Sequence, residues 1–235
     1  MDRAEVSVRA ALTEKGATSR AAPAGDGSSR LERKRRRRIR EIMQVAVRLM
    51  AERGYHSISL DDIAEAMDLA KSSLYHYFPS KEELFKACLQ SVGDEIHERL
   101  ASVAQQPGTA SERLRRLVAE QVLIQTQDYS AFAPLFLHPI QWPDGLRATV
   151  HRLRQRHDRV FLEVIRSGVA SGEFTVSEPR VARLLLHGAL NHIPDWYHPR
   201  QRLSPQRLAT YVADATVALF TLPPRQEAGG GQDRS

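Results

Sequence analysis

Apolar residues recur at intervals of three and four along most of the chain, which is the spacing of one face of an α-helix. The first clear stripe predicts a helix that ends near Gly54, because glycine readily adopts the left-handed conformation that closes many helices. This stripe consists of Ile39, Ile42, Met43, Ala46, Leu49 and Met50. No segment shows the sustained alternation of a β-strand, so the pattern predicts an all-α fold.

A run of short helices follows the first one. Ser59 and Asp62 have the spacing of a capping box, which predicts the start of a short second helix. Residues 68–70 form a tight connection, and a third helix is predicted over residues 71–78 before Pro79 ends it. Two such helices joined by a three-residue turn and packed on a preceding helix form a helix-turn-helix, whose second helix enters the DNA major groove.

The remainder of the chain is predicted to form long helices separated by breaks rich in proline. The predicted segments are roughly Lys81 to Val103, Ser111 to Gln127, Gly145 to Ala170, Pro179 to Asp195 and Pro205 to Leu222. We therefore divide the chain into a disordered basic arm, a three-helix helix-turn-helix domain, a larger helical domain and a flexible tail. Their expected bounds are residues 1–34, 35–95, 96–222 and 223–235.

The positive charge of the chain is concentrated near its beginning. Residues 1–40 carry 12 Lys and Arg against 5 Asp and Glu, a balance of 12 − 5 = +7, while the whole chain of 235 residues has a net charge of +6. Such a block predicts an arm for a polyanion, either nucleic acid or an anionic membrane surface. Its densest part consists of Arg35, Arg36, Arg37 and Arg38. Beside a DNA-binding domain we favour contacts to the DNA backbone or minor groove over a solvated helix end.

Several other classes of protein are disfavoured by what the sequence lacks. A single cysteine, Cys88, allows no internal disulfide, and no HExxH motif, nucleophile elbow or phosphate-binding loop is present. We therefore expect no enzymatic activity, no catalytic residue, no cofactor and no bound metal. No apolar run is long enough for a membrane span and no secretory signal opens the chain, so we expect a cytoplasmic location without a membrane partner.

The third predicted helix carries the side chains expected to read DNA. Small or hydrogen-bonding residues at its start let the backbone approach base edges, and the phenol, imidazole and ammonium groups that follow can reach phosphates. The candidate DNA-binding residues in and around this helix are Ser59, Lys71, Ser72, Ser73, Tyr75, His76, Tyr77 and Lys81. The pattern alone leaves a helical hairpin with a solvated polar face open as an alternative.

Residues 59–84, SLDDIAEAMDLAKSSLYHYFPSKEEL, resemble the N-terminal domain of the TetR/AcrR family of transcriptional regulators. The likeness covers about residues 35–95, and its LYHYF-x-SKEEL segment is specific. It implies a homodimeric, all-helical repressor whose two recognition helices read adjacent turns of a near-palindromic operator. By this resemblance the third helix is the recognition helix and Lys81 contacts a phosphate. Ser72 departs from the Gly or Ala of many members, which would change sequence preference without removing DNA binding.

In that family the C-terminal half binds a small molecule and dimerises through its last two helices. The last two long helices of this sequence have wide apolar stripes, which a four-helix seam across a twofold axis would bury. The stripes consist of Val181, Leu184, Leu185, Leu186, Ala189 and Leu190, then Leu208, Val212, Ala215, Leu219 and Phe220. An ordinary monomer core is the alternative interpretation.

The expected effector is an amphipathic anion. The predicted helix at residues 145–170 combines an apolar stripe with flanking Arg and His side chains, which suits a fatty acid or an acyl coenzyme A thioester. A core helix with a solvated basic face is the plainer alternative. The segments NHIPDWYHP at 191–199 and LSP at 203–205 resemble a pattern of family members that control fatty-acid or sterol catabolism and respond to coenzyme A thioesters. The candidate ligand-binding residues are Phe132, Trp142, Arg147, His151, Arg154 and Phe161.

The sequence thus predicts a ligand-released transcriptional repressor whose partners are double-stranded operator DNA, a small-molecule effector and a second copy of the chain. Two alternatives stay open at this point. The protein could be an efflux regulator that responds to drugs, or an architectural DNA-binding protein that needs no ligand.

Overall fold

The computed structural model describes residues 26–130, 142–198 and 203–221, with side chains from residue 30 onward. Every regular element within these ranges is helical, which confirms the all-α fold class. The α-helices are α1 (Asp26–Arg53), α2 (Leu60–Ala66), α3 (Lys71–Tyr77), α4 (Lys81–Ala104), α5 (Ala110–Leu123), α6 (Asp144–Ala170), α7 (Pro179–Asn191), α8 (Ile193–Trp196) and α9 (Pro205–Thr221). A π-helical turn, Ile124–Asp128, continues α5. None of the helices in these ranges combines the length and the apolar character that crossing a membrane requires.

Helix ends near the helix-turn-helix lie where local sequence signals predict them. Gly54 has a φ of 81°, and its N–H donates to the Met50 carbonyl at 2.8 Å, which closes α1. At the start of α2, Asp62 N–H donates to Ser59 Oγ at 3.1 Å, and Ser59 N–H donates to Asp62 Oδ2 at 2.6 Å. Hydrogen bonds from Ser59 lower the pKa of the Asp62 carboxyl. The predicted capping box is confirmed.

The first helix begins earlier than the sequence predicts. We expected a disordered basic arm through residue 34, whereas α1 begins at Asp26, so residues 26–34 are helical. Ion pairs spaced by three or four residues stabilise this part of α1, and one of them, Arg36–Glu32, includes a residue of the 26–34 stretch. These pairs are Arg36–Glu32, Arg37–Glu41 and Arg38–Glu41, at 3.0 to 3.1 Å. The arginine run therefore lies on a helix.

Two C-terminal helices also depart from the predicted bounds. The helix expected to reach residue 127 is a regular α-helix only to Leu123, and the π-helical turn begins at the next residue, Ile124. The helix expected over residues 179–195 ends at Asn191, and the short α8 follows with Pro194 in its first turn. Proline has no N–H to donate and its ring blocks the preceding turn, so α7 cannot continue through it.

The helices pack into two groups that share α4. In the first group, which we call the head, α1 packs on α4, and α2 packs on α1 and α3. In the second group α4 packs against α6, α5 packs against α9, and α6 also contacts α5 and α7. Trp142, just before α6, is buried with its ring centre 6.0 Å from that of Tyr55 in the head. This contact joins the start of α6 to the head.

Candidate functional site

One side of α3 exposes most of the side chains predicted to read DNA. Leu74 is fully buried and anchors the helix on the head. The predicted residues that are exposed are Lys71, Ser72, Ser73, Tyr75 and His76. Tyr75, the largest of them, is 48% exposed. A short helix with an uncovered polar side and small residues at its start can approach base edges in a major groove.

Lys71 is held by an ion pair across the turn between α2 and α3. Its Nζ donates to Asp61 Oδ2 at 2.5 Å, and both side chains are exposed. The hydrogen bond to Asp61 raises the pKa of Lys71. An exposed pair contributes little to folding stability, so a DNA phosphate can replace Asp61 as the partner.

Three other predicted DNA contacts also take part in the structure of the head. Lys81 Nζ donates to the backbone carbonyls of Tyr55 at 2.8 Å and Ile58 at 2.7 Å, and it lies 4.3 Å from the Tyr55 ring centre. One N–H of the ammonium is left for a phosphate. The Ser59 hydroxyl donates to Asp62 within the capping box, and Tyr77 is half-buried against the core. Direct DNA contacts by these three residues stay predictions.

The arginine run lies on α1, with most of its side chains exposed to solvent. Arg35, Arg36 and Arg37 are exposed, and Arg38 is half-buried. The carboxylates that pair with the run are themselves accessible to solvent. Because exposed ion pairs exchange readily, these guanidinium groups can leave their partners for phosphates. The run therefore keeps the chemistry of a DNA-backbone contact although it is helical.

A cavity of about 390 Å³ lies in the second group of helices, between α4, α5 with its π-helical turn, α6 and α7. We call it the inner cavity. Its wall is partly apolar and includes Ile96, Ile124, Leu153 and Leu184. Arg154, one of the predicted ligand-binding residues, also lines it. A cavity of this size and character can hold the hydrocarbon part of a small ligand.

Three buried polar side chains that line the inner cavity have atoms without hydrogen-bond partners among the described residues, namely Gln125, His187 and Tyr129 through its hydroxyl. Gln125 is 3% exposed, and neither its Oε1 nor its Nε2 has a hydrogen-bond partner among the described residues. His187 is 7% exposed, and its Nε2 is unpartnered within the same ranges. Burying a polar group without a hydrogen bond is unfavourable. Such groups mark positions where water or a ligand completes the structure.

A second cavity, of about 610 Å³, adjoins the first. We call it the basic cleft, because Arg113, Arg156 and Arg159 line it and Glu163 is its only acidic lining residue among those described. His97 lines both cavities and therefore lies where they meet. Burial and the charge of Arg156 lower the pKa of His97. A molecule with an anionic head and an apolar tail can place its charge in the cleft and its tail in the inner cavity.

Three side chains beside the inner cavity could supply metal ligands. Ligand atoms of His157, Asp158 and His187 lie within 4.8 Å of one another, and His187 Nδ1 is 3.1 Å from Asp158 Oδ1. However, Arg183 Nη1 lies 2.7 Å from Asp158 Oδ2 and 3.2 Å from His187 Nδ1. A guanidinium in that position already neutralises the carboxylate and repels a cation. The absence of a bound metal stays a prediction.

The charges of this group favour an ionised Asp158. Burial alone raises the pKa of its carboxyl. The neighbouring imidazoles of His157 and His187 and the charge of Arg183 lower that pKa by a larger amount, so the net pKa is below its ordinary value. Burial also lowers the pKa of His157, whose Nε2 lies 2.7 Å from Gln121 Oε1. At neutral pH the group therefore holds a carboxylate, a guanidinium and a neutral His157 imidazole.

The structure does not bring the predicted ligand-binding residues together. Arg154 lines the inner cavity, and Phe161 packs beside it with its ring centre 4.9 Å from that of His187. Trp142 contacts Tyr55 of the head and lines neither cavity. Position on α6 alone does not tell which side chains face the interior, because the neighbouring helices decide that.

Two of the other predicted ligand-binding residues do not line the cavities, and the third is outside the part of the chain that the structure describes. Arg147 and His151 are exposed on α6 and line neither cavity, and Phe132 lies outside the described residues. Sequence reasoning missed His97 and Gln125, which do line the cavities. A single His or Gln within an amphipathic helix has no spacing signal that would have identified it.

The apolar stripes of α7 and α9 divide between two environments. Leu186, Leu190, Leu208 and Phe220 are buried within the chain, as an ordinary core requires. The large apolar side chains that stay exposed on these two helices are Val181, Leu184, Leu185, Tyr211 and Leu219. Concentrated exposure of large apolar side chains marks surface that another molecule covers.

Known proteins resemble this chain in both of its parts. The model of bacterial regulatory proteins of the tetR family matches residues 42–88, and the model of the tetracyclin repressor-like C-terminal domain matches residues 107–220. The crystal structure of a transcriptional regulator of the TetR/AcrR family from Thermobifida fusca shares 30% sequence identity and superposes with a TM-score of 0.63. That superposition covers 77% of this chain and 97% of the relative.

Two further relatives match over a similar extent. AibR, in its complex with isovaleryl coenzyme A and operator DNA, is 26% identical, with a TM-score of 0.68 over 79% of this chain and 99% of that one. The fatty acid metabolism regulator protein of Bacillus subtilis is 22% identical over 79% of this chain and 97% of its own length. All three matches span nearly the whole relative, so the two-part architecture is shared from end to end.

Proposed function

Since the chain belongs to the TetR family of bacterial regulatory proteins, we propose that it is a dimeric transcriptional repressor. We propose further that a coenzyme A thioester releases it from its operator. The observation that carries the effector class is the junction at His97, where the basic cleft meets the partly apolar inner cavity. Residues 35–95 would bind DNA, and residues 96–222 would bind the effector and dimerise. The protein would act in the cytoplasm, without enzymatic activity.

For DNA, the exposed side of α3 supports base reading and α1 supports backbone binding. Ser72, Ser73, Tyr75 and His76 provide hydrogen-bonding groups at groove-entering positions, and Lys71 adds a cation that can exchange Asp61 for a phosphate. A dimer presents two such helices to the two halves of a near-palindromic operator. The arginine run adds affinity that depends on charge and very little on sequence.

For the effector, the cleft offers guanidinium groups to phosphates and the inner cavity accepts an acyl group. Arg156 Nη1 pairs with Asp94 Oδ1 at 2.5 Å on the surface, so it can change partner, and Arg113 donates to Ser167 Oγ at 2.9 Å. Guanidinium groups bind phosphate oxygens in bidentate geometry. The relative AibR is described with isovaleryl coenzyme A, and the Bacillus subtilis relative is a fatty acid metabolism regulator. Both agree with this ligand class.

Release follows if the effector binds better to the form of the dimer that fits the operator worse. The coupling is then reciprocal: the factor by which the thioester lowers DNA affinity equals the factor by which the operator lowers thioester affinity. The contact between Trp142 and Tyr55 connects the start of α6 to the head, and we propose it as one place where that coupling is transmitted.

The effector assignment predicts that removing two arginines of the cleft impairs release. In Arg156→Ala with Arg159→Ala, we expect the acyl-CoA concentration for half-release to rise by about 10-fold or more, since each charged hydrogen bond that is lost costs about 1.5–3 kcal/mol. Operator affinity without effector should stay unchanged. Fluorescence anisotropy of labelled operator from the protein's own promoter, titrated with medium- and long-chain acyl-CoAs, measures both quantities.

Arg166→Ala removes an exposed arginine from the same helix and serves as the matched control. If the double variant responds to acyl-CoA as the wild type does, the cleft is not the phosphate site. If drugs or hydrophobic cations release the wild type and acyl-CoAs do not, the protein is an efflux regulator. If no ligand changes DNA affinity, the architectural alternative holds.

The DNA-backbone assignment predicts a change in salt dependence. In the triple variant Arg35→Ala, Arg36→Ala and Arg37→Ala, the slope of log affinity against log salt should become shallower by about 0.9 for each phosphate that the protein no longer neutralises. Operator and unrelated DNA should lose affinity by similar factors, because phosphate contacts carry no sequence information. Anisotropy titrations at several salt concentrations measure the slope, and an unchanged slope would place the run away from DNA.

A further inference from the structure

The inner cavity carries hydrogen-bonding groups that a plain hydrocarbon chain cannot satisfy. Gln125 and His187 line it but do not line the basic cleft, and both are more than nine-tenths buried. Both polar atoms of the Gln125 amide and Nε2 of His187 lack partners within the described part of the chain. A saturated acyl tail in this cavity would seal these groups away from water, which is strongly unfavourable.

The backbone around Gln125 is held by a hydrogen bond within its turn and by ion pairs before the turn and at its end. It lies in the π-helical turn, where Tyr129 N–H donates to the Ile124 carbonyl at 2.8 Å. Arg99 clamps this turn by pairing with Glu120 and Asp128. π-Helical turns are rare, and they occur frequently at functional sites.

Two neighbouring polar side chains have partners, whereas the Tyr129 hydroxyl and His97 Nδ1, which also line the inner cavity, have none among the described residues. Thr126 Oγ1 donates to the Val122 carbonyl at 2.6 Å, and Gln121 Oε1 contacts His157 Nε2 at 2.7 Å. His187 Nδ1 contacts Asp158 and Arg183, so its other nitrogen, Nε2, is the one left for a ligand. Among the described lining residues, Gln125 is the amide for which both polar atoms are unpartnered.

The hydrogen-bonding groups of an amide determine which ligand group can pair with both its donors and its acceptor. The Gln125 amide offers both donors and an acceptor, whichever way its oxygen and nitrogen are assigned. A thioester carbonyl only accepts hydrogen bonds, so it leaves the amide oxygen without a donor. A hydroxyl group both donates and accepts. We propose that the effector's acyl group carries a hydroxyl that hydrogen-bonds to Gln125 and His187 within the inner cavity.

This inference rests on the proposed function and restricts the class of effector within it. It states that the cavity selects hydroxyacyl thioesters over unsubstituted acyl thioesters of the same length. A site built to hydrogen-bond a hydroxyl group discriminates strongly against the analogue that lacks it, because the site's buried polar groups are then left unpaired.

The test compares matched ligands on the full-length protein by isothermal titration calorimetry. The probes are butanoyl-, octanoyl- and dodecanoyl-CoA, each beside its β-hydroxy and terminal-hydroxy counterparts. We expect at least one hydroxylated member to bind wild type about tenfold or more tighter than its unsubstituted partner. In Gln125→Leu and in Gln125→Met this preference should disappear, and unsubstituted acyl-CoAs should bind more tightly than they bind wild type.

Gln127→Leu is the matched control, because Gln127 is an exposed glutamine in the same turn that bonds Gln206 on the surface. It should retain the hydroxyl preference. Circular dichroism checks that each variant is folded. If one of the two substitutions at Gln125 prevents folding, the other still tests the proposal.

The possible outcomes separate this inference from the proposed function. Equal affinity for hydroxylated and unsubstituted acyl-CoAs overturns the hydroxyl proposal while leaving the effector class intact. A preference that survives in both Gln125 variants also overturns it. Failure of every acyl-CoA to bind wild type overturns the effector class itself, and with it the hydroxyl proposal.

Discussion

We expect Leu185→Glu to leave the protein monomeric and to weaken operator binding by about 10²- to 10⁴-fold. Leu185 is 72% exposed on α7, and Leu219 on α9 is 67% exposed. In the proposed dimer these helices pack against their copies, so the new carboxylate would be buried without a partner, which is strongly unfavourable. A dimer holds its second head close to the second half-site, and a monomer loses that effective concentration.

Analytical ultracentrifugation and operator anisotropy measure the two effects on one preparation. Ala148→Glu places the same charge on an exposed position of α6 and should leave both the mass and the affinity unchanged. Leu185 lines neither cavity, so the variant should not act through the effector site. A Leu185→Glu protein that stays dimeric and binds its operator fully would place the dimer interface elsewhere.

The helix ends of the head could be predicted because their causes are local. The Ser59–Asp62 capping box and the closure at Gly54 depend on residues within four positions of one another, and both form as expected. The stretch before residue 35 is harder to assign. Its composition predicts disorder, but ion pairs such as Arg36–Glu32 stabilise a helix whose apolar stripe begins only at Ile39.

Side-chain partners that are distant in sequence could not be predicted. Lys81 has the sequence position of a phosphate contact, yet it also donates to carbonyls 26 and 23 residues earlier. The apolar stripes of α7 and α9 raise the same difficulty, because spacing cannot separate a buried Leu186 from an exposed Leu185. Only the packing of neighbouring helices decides between core and interface.

The two cavities show most clearly how little of the ligand site can be predicted from the sequence alone. The sequence predicts an amphipathic anion from an apolar stripe flanked by basic residues on α6. Arg154 of that helix lines the inner cavity, and Arg156 lines the basic cleft. The groups that give the cavities their chemistry lie on other helices as well, namely His97 on α4 and Gln125 in the π-helical turn. Their convergence is a property of the tertiary structure and has no signature in any one segment.

Removing the Tyr75 or His76 side chain should weaken operator binding by about 5- to 150-fold for each substitution to alanine. A good contact to DNA discriminates by about 1–3 kcal/mol, and both side chains are exposed on α3 without forming part of the core. Folding should therefore be unchanged. Gln90→Ala, an exposed position on α4, is the control within the DNA-binding domain.

The α3 and α1 variants should differ in kind as well as in size. Loss of Tyr75 or His76 should reduce the ratio of operator affinity to affinity for unrelated DNA, with little change in the salt slope. Loss of Arg35, Arg36 and Arg37 should reduce the slope and leave that ratio nearly constant. Anisotropy titrations of both DNAs at several salt concentrations separate these effects. Retained operator preference in both α3 variants would contradict the assignment of α3 as the helix that reads the operator.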